Sequence, residues 1–147
     1  MEINTVKSEI VCSGGFILSE KTKKFLLLLR NHGKTSGTWG FVGGKKEPLD
    51  RSSLDILTRE IEEELGKLPT IRKIVPLELF VSNDGKFKYN TYVILVEDEF
   101  IPKLNDEHSA YAWCNYRSWP KPLHQRINQS LNNKIIRAKL ELLLDLI

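Results

Sequence analysis

Cysteine is scarce in this 147-residue chain, which has only Cys12 and Cys114. Each stands beside apolar or aromatic residues, and neither has a CxxC or other ligand spacing. That excludes a disulfide framework or a thiolate metal centre and leaves two buried, reduced thiols. Long apolar runs are missing too. The longest, Phe25 to Leu29, is far too short to span a bilayer, and the first residues lack the basic-then-apolar order of an export signal. The expected setting is soluble and cytoplasmic, with no membrane partner. No sign of charge dominates: the net charge of +3 is too small to demand a nucleic-acid partner. Acid is absent only locally, from His108 to Leu140, where Arg117, Lys121, Arg126, Lys134, Arg137 and Lys139 stand without Asp or Glu. That stretch reads as a solvated basic face, with a surface that draws in an anionic ligand or RNA as the alternative. Repeats, low-complexity segments and linkers are absent as well. With 41% hydrophobic residues, the expectation is one domain over residues 1–147.

Patterning gives an α/β order. Glu9 to Leu18 and Phe25 to Arg30 are β-like runs around the polar turn Ser19 to Lys24, a hairpin whose second strand is fully buried. Asn31 to Thr38 reads as a mobile loop. Trp39 to Val42 reads as one short strand leading into a turn at Gly43-Gly44, where missing Cβ atoms permit positive φ and close approach of a ligand. A helix is predicted from Ser52 to Leu65, opened by Ser52-x-x-Asp55 and ended by Gly66. Ile71 to Val81 and Lys86 to Val96 flank Asn83-Asp84-Gly85, the signal of an antiparallel hairpin. Tyr111 to Tyr116 is the last strand. Leu131 to Ile147 carries the helical stripe Leu131, Ile135, Ala138, Leu142 and Leu146, which should pack on the sheet.

The predicted helix at Ser52 to Leu65 concentrates the chemistry. At roughly 100° per residue, Leu54, Leu57, Ile61 and Leu65 share an arc of about 80°, the expected buried stripe. Glu60 and Glu64 lie together at its edge, Glu63 sits roughly 80 to 100° further round, and Glu62 points to solvent. Like charges on one helix edge repel, so the arrangement costs stability unless cations neutralise it. Arg59, about 40° from Glu63, supplies part of that neutralisation. Oxygen ligands of this kind suit Mg²⁺ or Mn²⁺ rather than zinc, and Mg²⁺ bridges carboxylates to the phosphates of a substrate. Arg-Glu-apolar-x-Glu-Glu-x-Gly arises by accident in a chain this long with odds on the order of 10⁻⁵.

Read as Gly44, Asp50 and Arg59-Glu60-Ile61-x-Glu63-Glu64-x-Gly66, these residues resemble the signature of the Nudix hydrolase family. Three departures are visible: Asp50 stands for the first Glu, eight residues rather than seven precede Arg59, and Lys67 occupies the final apolar position. The resemblance implies an α/β/α sandwich with a mixed, partly antiparallel sheet between helices. It also implies a Mg²⁺-dependent (or Mn²⁺-dependent) pyrophosphohydrolase acting on a nucleotide diphosphate. Glu60, Glu63 and Glu64 would hold the metal, the Gly43 carbonyl would be a further ligand, and Arg59 would orient the glutamates. Glu107-His108-x-x-Tyr111-x-Trp113 resembles a segment of several subfamilies in which a glutamate outside the signature joins the active site. The catalytic base is then Glu60 or Glu107, and Glu107 is a further metal ligand. His108 and Tyr111 would hold the local turn by hydrogen bonds, Trp113 reads as core, and His124 carries no partner signal.

Arg30, Lys45 and Lys46 are the candidate phosphate cations. Gly44 offers close backbone approach, and Trp39, Phe41, Phe87, Tyr89 and Trp119 offer stacking faces for a base. Val42-Gly43-Gly44 replaces the Pro-Lys-Gly typical of dinucleoside tetraphosphate and RNA pyrophosphohydrolases, which takes weight from those substrates. Nucleoside triphosphates, ADP-ribose-like diphosphates and dinucleotides remain. The rivals are a nucleotide sensor without hydrolysis, a diphosphate isomerase, and an RNA 5′-end pyrophosphohydrolase using the basic C-terminal third. A nucleic-acid partner is not favoured, and a homodimer is compatible with the chain.

Overall fold

Strand β1 (Ile10–Ser19) is the axis of the sheet, and its near-continuous apolar run is buried because both of its faces are covered. The computed structural model describes residues 9–147, so the first eight positions of the expected domain lie outside the described residues. After β1 come β2 (Phe25–Arg30), β3 (Trp39–Gly40), β4 (Val42–Lys45), helix α1 (Ser53–Leu65), β5 (Ile71–Val81), β6 (Phe87–Val96), β7 (His108–Cys114), and helices α2 (Gln125–Leu131) and α3 (Lys134–Leu146). The sheet runs β3-β2-β1-β6-β5, with β4 also on β1 and β7 also on β2. β1 and β6 pair in parallel from Ile10↔Phe87 to Ser19↔Val96, and the other pairs are antiparallel.

Period-two alternation sends side chains to two cores. Ile17, Leu26, Leu28, Tyr92, Ile94 and Val96 pack with Leu57, Ile61 and Leu65 of α1. Phe16, Leu18, Phe25, Leu27, Val93 and Leu95 pack with Ile127 and Leu131 of α2 and with Ile136 and Leu140 of α3. The result is an α/β/α sandwich with a mixed sheet, as the family resemblance implied. No described helix is long and apolar enough to cross a membrane.

β1 changes partner along its length. Cys12 to Gly15 pair with β4, whereas Ile17 and Leu18 pair with β2. The expected strand Trp39 to Val42 is correspondingly split: Trp39 and Gly40 pair with β2, the chain crosses at Phe41, and Val42 starts β4. Gly43 and Gly44 therefore lie in a strand rather than a turn, and neither has positive φ. Their missing Cβ serves packing. A side chain at Gly43 would come within 2.6 Å of the Tyr89 hydroxyl, and one at Gly44 would overlap the Glu60 carboxylate.

Other differences have local causes. The loop after β2 is tied rather than loose, with the Arg30 amide donating to the Thr38 carbonyl and Gly37 N to Arg30 O, each at 2.9 Å. β2 is fully buried only from Phe25 to Leu28, while Leu29 and Arg30 come half out at its end. β7 starts at His108 rather than Tyr111 because β2 pairs with it as far as Arg30↔His108, across a bulge at Leu29/Arg30. The expected C-terminal helix is two helices. Asn133 Oδ1 accepts from the amides of Ile135 (2.9 Å) and Ile136 (3.1 Å), restarting the chain as α3. The restart shifts the buried face to Ile136 and Leu140, so Ile135, Leu142 and Leu146 are exposed.

Candidate active site

Helix α1 begins as its sequence predicts, with Ser52 Oγ accepting from Asp55 N at 3.1 Å, and ends at Gly66 with φ 76°. Its buried face is broader than four apolar residues. Leu54 is 45% exposed on the first turn, Ile56 is buried in its place, and Glu60 and Glu64 are buried at 8% and 1% exposure. At roughly 100° per residue Glu64 falls within about 20° of Leu57. It therefore lies at the centre of the face turned to the sheet, not at its edge.

Burial of this kind requires partners. The Gly43 amide donates to Glu64 Oε2 at 3.2 Å, and His108 Nδ1 lies 3.5 Å from Glu64 Oε1. Arg59 Nη1 reaches Glu60 at 2.7 Å, Glu47 at 2.8 Å and Glu63 at 3.3 Å. Its Nη2 donates to Asp50 Oδ2 at 2.8 Å and to the Lys45 carbonyl at 2.7 Å. Asp50 Oδ2 also accepts from Glu47 N at 2.8 Å, closing the loop between β4 and α1. The acid at the position of the signature's first glutamate thus anchors Arg59.

Charge in this cluster is unevenly satisfied. Hydrogen bonds from Arg59 hold the Asp50 carboxyl below its ordinary range. Burial pushes Glu64 far up, and the adjoining Glu60 carboxylate adds to the shift. Burial also raises Glu60, against the opposing hydrogen bonds of Glu64 and Arg59. His108 is pushed down to about 4 by burial, with the charges of Arg30 and His32 acting the same way, so its ring is neutral at pH 7. Both of its nitrogens are buried without a hydrogen-bond partner among the described residues. It sits against Glu64 and does not hold the turn as expected.

Among the described residues two donor sets result, Glu64 with Glu107 and His108, and Glu47 with Glu60 and Glu63, each with ligand atoms within 4.8 Å of one another. The Glu-Glu-His set can hold a divalent metal. A cation there would relieve the buried Glu64 carboxylate, which the neighbouring Glu60 also opposes, and give an orphaned imidazole nitrogen a partner. Oxygen donors predominate, which fits a hard divalent ion.

Glu60 and Glu107 face a cavity of about 500 Å³ that opens where β1 exchanges β4 for β2. Of the expected residues, Glu60, Glu107, Gly43, Gly44, Arg30, Lys45, Phe41 and Tyr89 line it. Lys46 borders a separate hollow beside Glu9 to Val11. Trp39 packs against the core, its amide bonded to Pro122 O and its carbonyl to His124 N. Tyr111 is 37% exposed on β7. Trp113 is half-buried beside the α1 core, its indole N–H on the Phe100 carbonyl at 3.1 Å.

Sequence reasoning passed over Glu47, His124 and Arg126. Glu47 was hidden by its exposed loop. His124 caps α2, its Nδ1 accepting from Arg126 N at 3.2 Å, and it lines the cavity with Tyr89 and Arg126. The Arg126 guanidinium lies 4.8, 4.7 and 5.3 Å from the ring centres of Phe80, Phe87 and Tyr89. Phe87 and Tyr89, alternating on β6 opposite Phe80, were the available signal, since alternate residues share one sheet face.

The family profile described as NUDIX domain matches residues 11–133. The chain belongs to the Nudix hydrolase family. As a Nudix hydrolase it acts on phosphoanhydride bonds of a nucleotide-diphosphate moiety. This Nudix chain is 30% identical over 102 residues to the CTP pyrophosphohydrolase of Escherichia coli, covering 65% of this chain and 70% of that one. Its structure resembles a MutT NUDIX hydrolase from Burkholderia pseudomallei at 26% identity and a TM-score of 0.63, covering 84% of this chain and 96% of the other. It also resembles a MutT protein from Methanosarcina mazei at 25% identity and a TM-score of 0.61, covering 92% and 99%.

Proposed function

We propose that this chain, as one Nudix domain, hydrolyses the diphosphate of a nucleoside diphosphate linked to another group, using Mg²⁺ or Mn²⁺. The observation that carries the reading is the burial of Glu60 and Glu64 on one helix face, at a cavity that Glu107 also lines. Sites without a ligand do not retain buried carboxylates in mutual contact at no benefit. Glu60, Glu63 and Glu64 would hold the ion, with Glu107 and the Gly43 carbonyl as further donors. A bound divalent cation neutralises the diphosphate and lowers the pKa of a water near it.

The chain's own groups supply the rest. Arg59 fixes the carboxylates of Glu60 and Glu63 relative to each other, so no long side chain must be ordered at the moment of reaction. Lys45 lines the cavity and brings positive charge to the diphosphate, with Arg30 on the same cavity as a further phosphate cation. For the proton of the attacking water, Glu107 is the better acceptor of the two candidates. Its carboxylate accepts no hydrogen bond among the described residues, whereas Glu60 is engaged by Arg59 at 2.7 Å.

The test is release of phosphate and nucleotide from nucleoside triphosphates (CTP included, since the relative in Escherichia coli is named for it), ADP-ribose, nucleotide sugars and dinucleotides, with and without Mg²⁺. Glu107→Gln should lower kcat by at least about a hundredfold. A loss of only a few-fold removes Glu107 as the base, and the same measurement on Glu60→Gln judges its rival. Metal-tight binding with no cleavage of any substrate would favour a sensor.

A further inference from the structure

The cavity also has a cationic lining that the carboxylates do not explain. Lys45, Cys12, Tyr89 and Phe80 are successive register partners across β4, β1, β6 and β5, so their side chains share one face of the sheet. Arg126 lies over the far part of that row, within 5.3 Å of the centres of three rings. The rings hold the guanidinium in place, its N–H donors have no hydrogen-bond partner among the described residues, and rotamer entropy is already spent. Arg30 is steadied separately, its Nε donating to Thr35 Oγ1 at 2.6 Å. Among the described residues, neither Arg30 nor Arg126 forms an ion pair with a carboxylate.

His124 completes the group. Its Nδ1 accepts from the Arg126 amide, which assigns the proton of the neutral ring to Nε2. Burial, with the charges of Arg30 and Arg126 adding, lowers its pKa and keeps that ring neutral. Two guanidinium groups and an imidazole N–H offer donors and no acceptor. A nucleobase edge mixes donors with acceptors, whereas a phosphate offers acceptors alone.

We propose that Arg126, Arg30 and His124 form an anion site for an additional phosphate of the substrate, distinct from the two that flank the scissile bond. The inference rests on the hydrolase reading above and specifies its substrate class. The added phosphate can belong to a longer polyphosphate tail or to an ester on the ribose, and the chemistry recognised is the same.

Equilibrium titration of the metal-free full chain in EDTA tests this without turnover. Inorganic pyrophosphate probes the site with no base or sugar. Adenosine 5′-triphosphate against the diphosphate, and adenosine 2′,5′-bisphosphate against the 5′-monophosphate, separate a tail phosphate from a ribose phosphate. The expected result is pyrophosphate binding that Arg126→Gln weakens by about tenfold or more and Arg126→Lys by less. One pair should show a similar gain from its extra phosphate, and Arg126→Gln should remove it. No binding, binding indifferent to Arg126→Gln, or two pairs without a gain each overturn the proposal. If Arg126→Gln does not fold, Arg30→Gln in the same titrations decides. Intact titrations with no Mg²⁺-dependent hydrolysis of any substrate would sink the hydrolase reading and leave the anion site, and the converse result would do the reverse.

Discussion

Arg59 on α1 touches four carboxylates, those of Glu47, Asp50, Glu60 and Glu63, whereas Arg126 on α2 lies over three aromatic rings. Arg126 lines the cavity, Arg59 holds Glu60 which lines it too, and the two carry the same charge. Arg59 spends its donors inside the protein, setting the spacing of acids that would otherwise repel, and little of its charge is left for a ligand. Arg126 is held over rings, and its guanidinium N–H donors have no partner among the described residues. A guanidinium surrounded by carboxylates is scaffold, and one stacked on rings is available for recognition.

The sharpest test of the acidic end is Glu64→Gln, which should cut hydrolysis by roughly a thousandfold if this carboxylate holds the ion. Metal-free stability should move the other way. The folded-state pKa of Glu64 lies above its unfolded value, so the fold keeps a proton that the unfolded chain has released. Its contribution is fully present below the ordinary carboxylate range and is lost as pH rises toward the raised value. In EDTA, the wild-type Tm should therefore fall as pH rises above about 5, and Glu64→Gln should have a flatter profile with a higher Tm at pH 8. Parallel profiles for the two proteins would show that Glu64 is not the strained group.

Arg59→Lys and Arg126→Lys set the two ends directly against each other. Lysine cannot reproduce a fork that serves Asp50, Glu60 and the Lys45 carbonyl together. Arg59→Lys should lose about a hundredfold in kcat and lower Tm. Arg126→Lys keeps a cation over the rings and should lose less than about tenfold, mostly in KM. Equal losses would erase the distinction between scaffold and recognition.

The acidic end was far more legible in the sequence than the cationic end, for a physical reason. Arg59, Glu60, Glu63 and Glu64 occupy one helix, where a fixed rotation per residue turns spacing into geometry, and Ser52 and Gly66 mark its limits. The antiparallel β5–β6 pairing followed from its turn, Asn83-Asp84-Gly85. Arg126, Tyr89, Phe80 and Arg30 come from α2, β6, β5 and β2, and only the parallel β1–β6 pairing and the β5–β6 register bring them together. Spacing along the chain carries no trace of that. Gly43-Gly44 marked the right place for the wrong reason, since absence of Cβ serves positive φ and close packing alike. Asn132-Asn133 was passed over because an apolar stripe can be drawn through a helix break. Asn133 capping moves the true stripe by one position, to Ile136 and Leu140.

Two glycines extend the comparison to its smallest effects. A Cβ at Gly44 would overlap the Glu60 carboxylate, which Arg59 holds from the other side, so the clash cannot relax without moving a proposed ligand. A Cβ at Gly40 would meet Ile127 Cδ1 at 2.9 Å and His124 Cβ at 3.7 Å. The nearer atom is the flexible end of an aliphatic side chain that can turn aside. Gly44→Ala should therefore cost about 1 to 3 kcal/mol of stability and lower kcat by roughly tenfold. Gly40→Ala should leave kcat within about twofold and raise KM slightly as α2 shifts outward. Thermal melts with steady-state kinetics on both variants measure this. Reversal of the order would mean that the cavity is positioned from the α2 side, with the acidic helix adapting to it.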